Sequence, residues 1–183
     1  MKRVAVPLSR GFPPIADTRA RVLVLGSLPG RKSLDMHEYY AQSYNVFWRI
    51  MGALFGAWPT LPYDARLERL RANGIAVWDV LAAGQREGSL DSAIDRSTIV
   101  VNDFGGFLSR HRGIQLICFN GATAALLYRR RVEPTLDPAS AAIETRVLPS
   151  TSPAHASLRF EQKLERWAAA LQGSSYAAHP TER

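Results

Sequence analysis

Only one cysteine, Cys118, occurs among 183 residues, so the chain forms no internal disulfide and supplies no four-cysteine iron–sulfur site. A lone thiol inside an apolar run suits a reducing, cytosolic setting. Long hydrophobic runs are missing too, and none approaches the roughly 20 residues needed to cross a bilayer. The opening residues, MKRVAVPLSRGFPP, are basic but lack the apolar segment of a secretory signal. Acidic side chains are scarce relative to basic ones: 16 Asp and Glu against 23 Lys and Arg give a net charge of +7 and a pI near 10.1. The excess is uneven. Residues 1–33 carry Lys2, Arg3, Arg10, Arg19, Arg21, Arg31 and Lys32 against the single acid Asp17, and Arg129, Arg130 and Arg131 form a second cluster. Such a balance favours a polyanionic partner, nucleic acid ahead of an acidic membrane surface.

What is present is an ordinary globular composition, 46% hydrophobic and 21% charged, with a length that suits one domain. Residues 1–18 hold three prolines and no periodicity, which predicts a basic extended arm that packs late or not at all. Residues 19–172 then read as a single domain, and 173–183 as a disordered tail. Short apolar runs at Arg21–Leu25, Ile75–Val80, Ile114–Phe119 and Thr145–Leu148 predict four buried strands. Helical spacing appears over Phe47–Phe55, Tyr63–Asn73, Val101–Arg110, Ala122–Arg130 and Leu158–Leu171, with one helical turn around Ser33–Tyr39 and a polar loop over 82–97. Strands alternating with helices predict a three-layer α/β/α domain with a four-stranded, mostly parallel central sheet. Ligands of such sheets sit at the carboxyl ends of the strands. Those ends carry Gly26–Gly30, Asp79, Asn120 and Pro149–Ala156, so the unusual polar residues converge on one edge.

The stretch Val22–Trp48 is the densest part of this pattern: a buried strand, a Gly/Pro turn, two cations (Arg31, Lys32), then Tyr39, Tyr40, Tyr44, Asn45, Phe47 and Trp48. Taken with VWDVLAAGQREGSLDSAI (Val77–Ile94), FNG (Phe119–Gly121) and LPSTSPAHA (Leu148–Ala156), the motifs GSLPGRKS (Gly26–Ser33) and YYAQSYNVFWRI (Tyr39–Ile50) resemble the uracil-DNA glycosylase superfamily. The nearest resemblance is to the branch that excises deoxyinosine (hypoxanthine) and to broad-specificity uracil glycosylases. It covers about residues 20–171.

The resemblance implies a uracil-DNA glycosylase-like fold and a monofunctional DNA glycosylase of base-excision repair. Such an enzyme flips uracil, hypoxanthine or xanthine out of DNA, hydrolyses the N-glycosidic bond and leaves an abasic site. It implies a monomer in the bacterial cytoplasm, associated with the nucleoid, that needs no metal and no cofactor and whose partner is DNA containing deaminated bases. Gly26, Ser27 and Leu28 would line the sugar, and Asn45 would supply the catalytic amide, because Leu28 stands where superfamily members commonly carry a water-orienting Asp or Asn. Asn45 is equally placed to cap the helix that follows it. Phe47 would stack on the base, either Tyr39 or Tyr40 would wall the pocket, and Asp79 would meet the Watson–Crick edge as an ionised acceptor. Asn120 and His155 would contact the base, Asn120 being also a candidate helix cap. Pro29, Gly30, Lys32, Ser33, Ser150 and Ser152 would hold phosphates. Leu148 replaces a frequent His of the second motif. Together with Leu28 it keeps a non-catalytic or very slow binder of uracil-containing or abasic DNA as the alternative.

Overall fold

The computed structural model describes residues 7–172, so the tail expected over 173–183 and the first six residues of the arm lie outside the described residues. Four short strands form the central sheet; three are almost wholly apolar and buried, and the edge strand is polar and mostly exposed over its first half. Before them the chain contributes β1 (Leu8–Arg10); the sheet itself begins with β2 (Val22–Gly26), buried along its whole length. Two helices follow, α1 (Arg31–Met36) and α2 (Phe47–Phe55), the second ending where Gly56 turns left-handed at φ 71° and donates back to the Gly52 carbonyl while Ala57 donates to that of Met51. After α3 (Tyr63–Ala72) comes β3 (Ile75–Asp79), again entirely buried. The chain continues through β4 (Leu81–Gln85), β5 (Val100–Val101), α4 (Phe104–Arg110), β6 (Leu116–Asn120) and α5 (Ala122–Arg131). It closes with the short α6 (Pro138–Ala141), β7 (Glu144–Leu148) and α7 (Phe160–Leu171).

The central sheet has the order β3-β2-β6-β7 and every neighbouring pair is parallel. A parallel strand covered on both faces needs a continuous apolar run rather than an alternating one, which is what VLVLG, IAVWD and LICFN supply. Helices cover both faces. On one, α2 packs with α3 and α7 through contacts such as Phe47 against Trp167; on the other, Phe104 and Phe107 meet Trp78, while Phe104 and Phe119 meet Tyr128 of α5. After β2 the chain turns toward β3, and after β6 toward β7, so the loops leaving these two central neighbours diverge. A crevice opens between them at the carboxyl edge.

Two local expectations change. The arm packs: Leu8–Arg10 pairs antiparallel with Ala83–Gln85, Ile15 bridges Val77, and Ile15 is only 4% exposed. The loop expected over 82–97 contains β4, which pairs on its other edge with β5 to make a three-stranded antiparallel sheet, and a 3₁₀ turn at Asp91–Ala93. Neither LSR nor LAAGQ carries strand propensity; long-range pairing imposes the strand, as it often does. Consequently α4 starts at Phe104 rather than Val101, with Asp103 capping it through Gly106 N–H at 2.9 Å.

If the arm is part of the folded domain, Ile15→Ala should lower the unfolding free energy by about 2–5 kcal/mol, as for other buried aliphatic truncations. Urea unfolding checks this; a change within about 0.5 kcal/mol, the range of an ordinary surface substitution, would mean the arm does not pack.

Candidate active site

At the carboxyl edge of β2 and β6 lies a cavity of about 380 Å³, within the size range of small-molecule sites. Gly26, Ser27, Leu28, Pro29 and Gly30 form one side of it. Gly26 stands directly opposite Asp79 in the β2–β3 register, and a Cβ there would run into the Asp79 carboxyl group and come within 3.0 Å of the Tyr40 hydroxyl. The glycine therefore makes room for Asp79 in the wall. Behind the turn lies Arg86, whose side chain is 2% exposed; it donates to the Pro29 carbonyl and, at 3.2 Å, to that of Leu28. Ser27 Oγ donates to Asp91 Oδ1 at 2.6 Å, and Arg86 lies 3.6 Å from the same carboxylate. Leu28 is itself buried and offers no proton chemistry.

The second side is aromatic. Phe47 is fully buried and is not among the residues that line the cavity. Tyr40 lies over Phe47 with ring centroids 3.9 Å apart and planes at 24°, and it is Tyr40 that lines the cavity. Its backbone is left-handed, φ 55°, and its buried hydroxyl has no hydrogen-bond partner. A non-glycine residue held in this region marks a place where the surroundings dictate the backbone. Tyr39 also lines the cavity, but its ring packs edge-on against Phe12 and its hydroxyl donates toward the Phe12 and Pro13 carbonyls. Tyr40 is thus the free wall and Tyr39 the support. Asn45 Oδ1 accepts from Phe47 N–H at 2.9 Å at the start of α2, which fixes the amide plane and leaves Nδ2 for the cavity that Asn45 lines.

The third side is the loop after β7. Asn120 commits both ends of its amide to Thr151, donating from Nδ2 to Oγ1 and accepting at Oδ1 from the backbone N–H, each at 2.8 Å. It braces this loop rather than offering a free amide, and the helix cap falls on Gly121. The Thr151 carbonyl in turn accepts from Val46 N–H, joining the two halves of the site. From α7, Trp167 donates to the Pro149 carbonyl and the buried Lys163 to that of His155. Ser150 and Ser152 each accept a backbone N–H two residues on and keep a hydroxyl proton to donate, while His155 lies at the cavity with Nε2 3.3 Å from Ser157 Oγ. Lys32 and Gly30 border the opening, but Ser33 is buried and its hydroxyl accepts from Ala41 N–H, an internal brace rather than a phosphate contact. Pro29 is buried against the turn.

Electrostatically the cavity is unusual for its two carboxyl groups. Asp79 is 4% exposed, its Oδ2 has no partner, and burial followed by the nearby Asp91 charge pushes its pKa up to about 8, against a smaller opposing effect of Arg86. At neutral pH it is mainly a neutral acid, a donor as well as an acceptor. The expectation of an ionised, accept-only Asp79 is corrected on that account. Asp91 is also raised by burial, but Ser27 and Arg86 pull it back. Arg86, Asp91, Ser89 and Thr151 escaped the sequence reading; the only signal was two opposite charges five residues apart in a loop otherwise rich in Gly and Ser. Among the described residues no group of three or more His, Cys, Asp or Glu side chains could hold a metal ion.

A parallel α/β domain with a base-sized, partly aromatic cavity at its strand ends is built like an enzyme that takes a planar ring into its core. The family model for the uracil DNA glycosylase superfamily matches residues 13–172, and the chain belongs to that superfamily of DNA glycosylases. A hypoxanthine DNA glycosylase of Methanosarcina acetivorans is 39% identical over 167 residues, 90% of this chain and 99% of the relative. A second, from Methanosarcina barkeri, is 37% identical over 147 residues, covering 80% and 87%. The solution NMR structure of a Methanosarcina acetivorans protein provisionally named a uracil DNA glycosylase superposes with a TM-score of 0.74 at 35% identity, over 91% of this chain and 98% of that one.

Because the folded-state pKa of Asp79 lies above its unfolded value, the unfolded chain ionises first as pH rises. The stability this group allows is complete below about pH 4 and lost progressively up to about pH 8. Asp79→Asn should therefore match wild type near pH 4.5 and exceed it at pH 8 by an amount on the order of a few kcal/mol. Urea midpoints at the two pH values test this; an advantage independent of pH would place the ionisation elsewhere.

Proposed function

We propose that this protein excises hypoxanthine from DNA, and with lower preference uracil and xanthine, by taking the flipped nucleotide into the cavity and hydrolysing its N-glycosidic bond to leave an abasic site. The observation that carries the reading is the buried Asp79 carboxyl group beside Tyr40, with its Oδ2 unpartnered. Deamination of adenine turns an amidine edge into a lactam, a carbonyl next to a ring N–H. A neutral carboxylic acid answers a lactam with one donated and one accepted hydrogen bond, whereas a carboxylate would face the carbonyl with like partial charge. The relatives' names point to the same base.

In this reading the flipped base lies against Tyr40, backed by Phe47, with Asp79 at its lactam edge. A mispaired hypoxanthine leaves the stack more cheaply than adenine, which adds selectivity before the pocket is reached. Breaking the C1′–N bond puts positive charge on the sugar and negative charge on the base. The Asn45 Nδ2 donor, fixed by the bond from Oδ1 to the α2 backbone, is aimed to meet the negative charge. Gly30, Lys32, Ser150 and Ser152 ring the opening and take the phosphates on either side, while the cationic excess draws the protein to DNA as a monomer in the nucleoid.

A panel of single- and double-stranded oligonucleotides carrying one hypoxanthine, uracil or xanthine tests this under single-turnover conditions. Hypoxanthine should be cut fastest, and Asn45→Ala should slow cutting by about 100-fold or more, the usual loss for one transition-state donor. Binding with no alkali-labile product from any base would favour a non-catalytic binder instead.

A further inference from the structure

Leu28 leaves the reaction without a water-holding side chain at the tip of the first loop, and no other group described so far fills the gap. Asn45 has its oxygen tied to the backbone of α2, and Asp79 is neutral and faces the base edge. His155 sits on the second loop with its ring nitrogen toward Ser157. One carboxylate remains at the cavity wall. Asp91 enters from the 3₁₀ turn at Asp91–Ala93 and is fixed through Oδ1 by the Ser27 hydroxyl at 2.6 Å, and its side chain is still 39% exposed.

We propose that Asp91 is the catalytic carboxylate that holds the attacking water, resting on the base-excision reading above. Ser27 and Arg86 occupy one oxygen, Oδ1, so the other is available to a water at the sugar side of the cavity next to the Gly26–Leu28 backbone. In the step, the C1′–N bond breaks with its electron pair leaving on the base. The water oxygen forms the new C1′–O bond, its proton passes to Asp91 and then to solvent, and the base anion takes a proton from solvent. Asp91's negative charge also faces the sugar cation as it develops. The arrangement separates two carboxyl groups by environment: Asp79 is buried with its Oδ2 unpartnered, while Asp91 has a hydroxyl, a guanidinium and solvent. The water-holding role thus moves about sixty residues along the chain from the motif position at Leu28, onto a loop that Arg86 clamps to the same turn.

The charged and titratable groups around Asp91 are Arg86 and Asp79 within the site, Lys32 and His155 at the opening, and Arg96, Arg130 and Arg131 in the adjoining groove that Asp91 also lines. Single-turnover excision of hypoxanthine from a duplex is the test, with wild type, Asp91→Asn and Asp91→Ala run side by side. Asp91→Asn should cut at least about 100-fold more slowly, the usual contribution of a positioned base, while binding a duplex with an abasic-site analogue within twofold of wild type. Added formate should restore at least tenfold of the rate lost by Asp91→Ala. Wild type, whose fold is not at issue, should lose rate tenfold per pH unit on the acid side as one carboxylate is protonated. Cutting by Asp91→Asn within threefold of wild type overturns the proposal. So does a loss matched by weaker DNA binding and not rescued by formate, or a wild-type rate flat from pH 7 to pH 4. A wild type inert on every deaminated base overturns the base-excision reading itself, and this proposal with it.

Discussion

Gly26 and Asp79 face each other at the carboxyl ends of adjacent parallel strands, too close for any side chain at position 26. Much of the site follows from that contact. With no Cβ in the way, the Asp79 carboxyl group stands in the wall rather than being pushed toward solvent, and the Tyr40 hydroxyl can approach the same strand end. Burial then keeps the acid neutral through most of the physiological range, which changes what it can recognise. A backbone constraint in the sheet becomes a chemical property of the cavity.

The loops on either side of the crevice are held by polar bonds as well as by the apolar packing of Leu28 and Leu148. Arg86 pins the Leu28 and Pro29 carbonyls, the Ser27 hydroxyl ties to Asp91, Asn120 and Thr151 exchange two bonds, and Val46 reaches across to Thr151. Buried polar groups that are satisfied in this way fix geometry at little net cost, while an unsatisfied one is expensive. At the cavity three buried atoms have no hydrogen-bond partner, Asp79 Oδ2, the Tyr40 hydroxyl and Arg86 Nε.

The three inner runs of the central sheet were legible because parallel strands covered on both faces leave continuous apolar runs, and the loops that close the site were legible because Gly, Pro and Asn punctuate their ends. The packed arm and the β4–β5 ribbon were not, since Leu8–Arg10 and Leu81–Gln85 become strands only by meeting each other. At the level of side chains, sequence placed Asn45, Asp79 and Phe47 near the site but left Tyr39 and Tyr40 open as the pocket wall. Both are tyrosines, and only packing separates them: the Tyr39 ring and hydroxyl are engaged by Phe12 and Pro13, while Tyr40 lies over Phe47. Sequence also could not show that Asp79 is neutral, because that depends on burial and on Asp91, twelve residues away in sequence. Arg86 and Asp91 were invisible as a pair because a 3₁₀ turn, not a periodic element, brings them together.

The proposed function requires that a deaminated base occupy the cavity with its lactam edge against Asp79. A crystal structure on a duplex carrying 2′-fluoro-deoxyinosine, whose fluorine slows glycosidic cleavage, tests it directly. The expected result is an extrahelical hypoxanthine beside Tyr40, both oxygens of Asp79 within hydrogen-bonding distance of its N1–H and O6 edge, and flanking phosphates at Gly30, Ser150 and Ser152. A nucleotide still stacked in the duplex, or an extruded base lying outside the cavity with Asp79 unpaired, would contradict it.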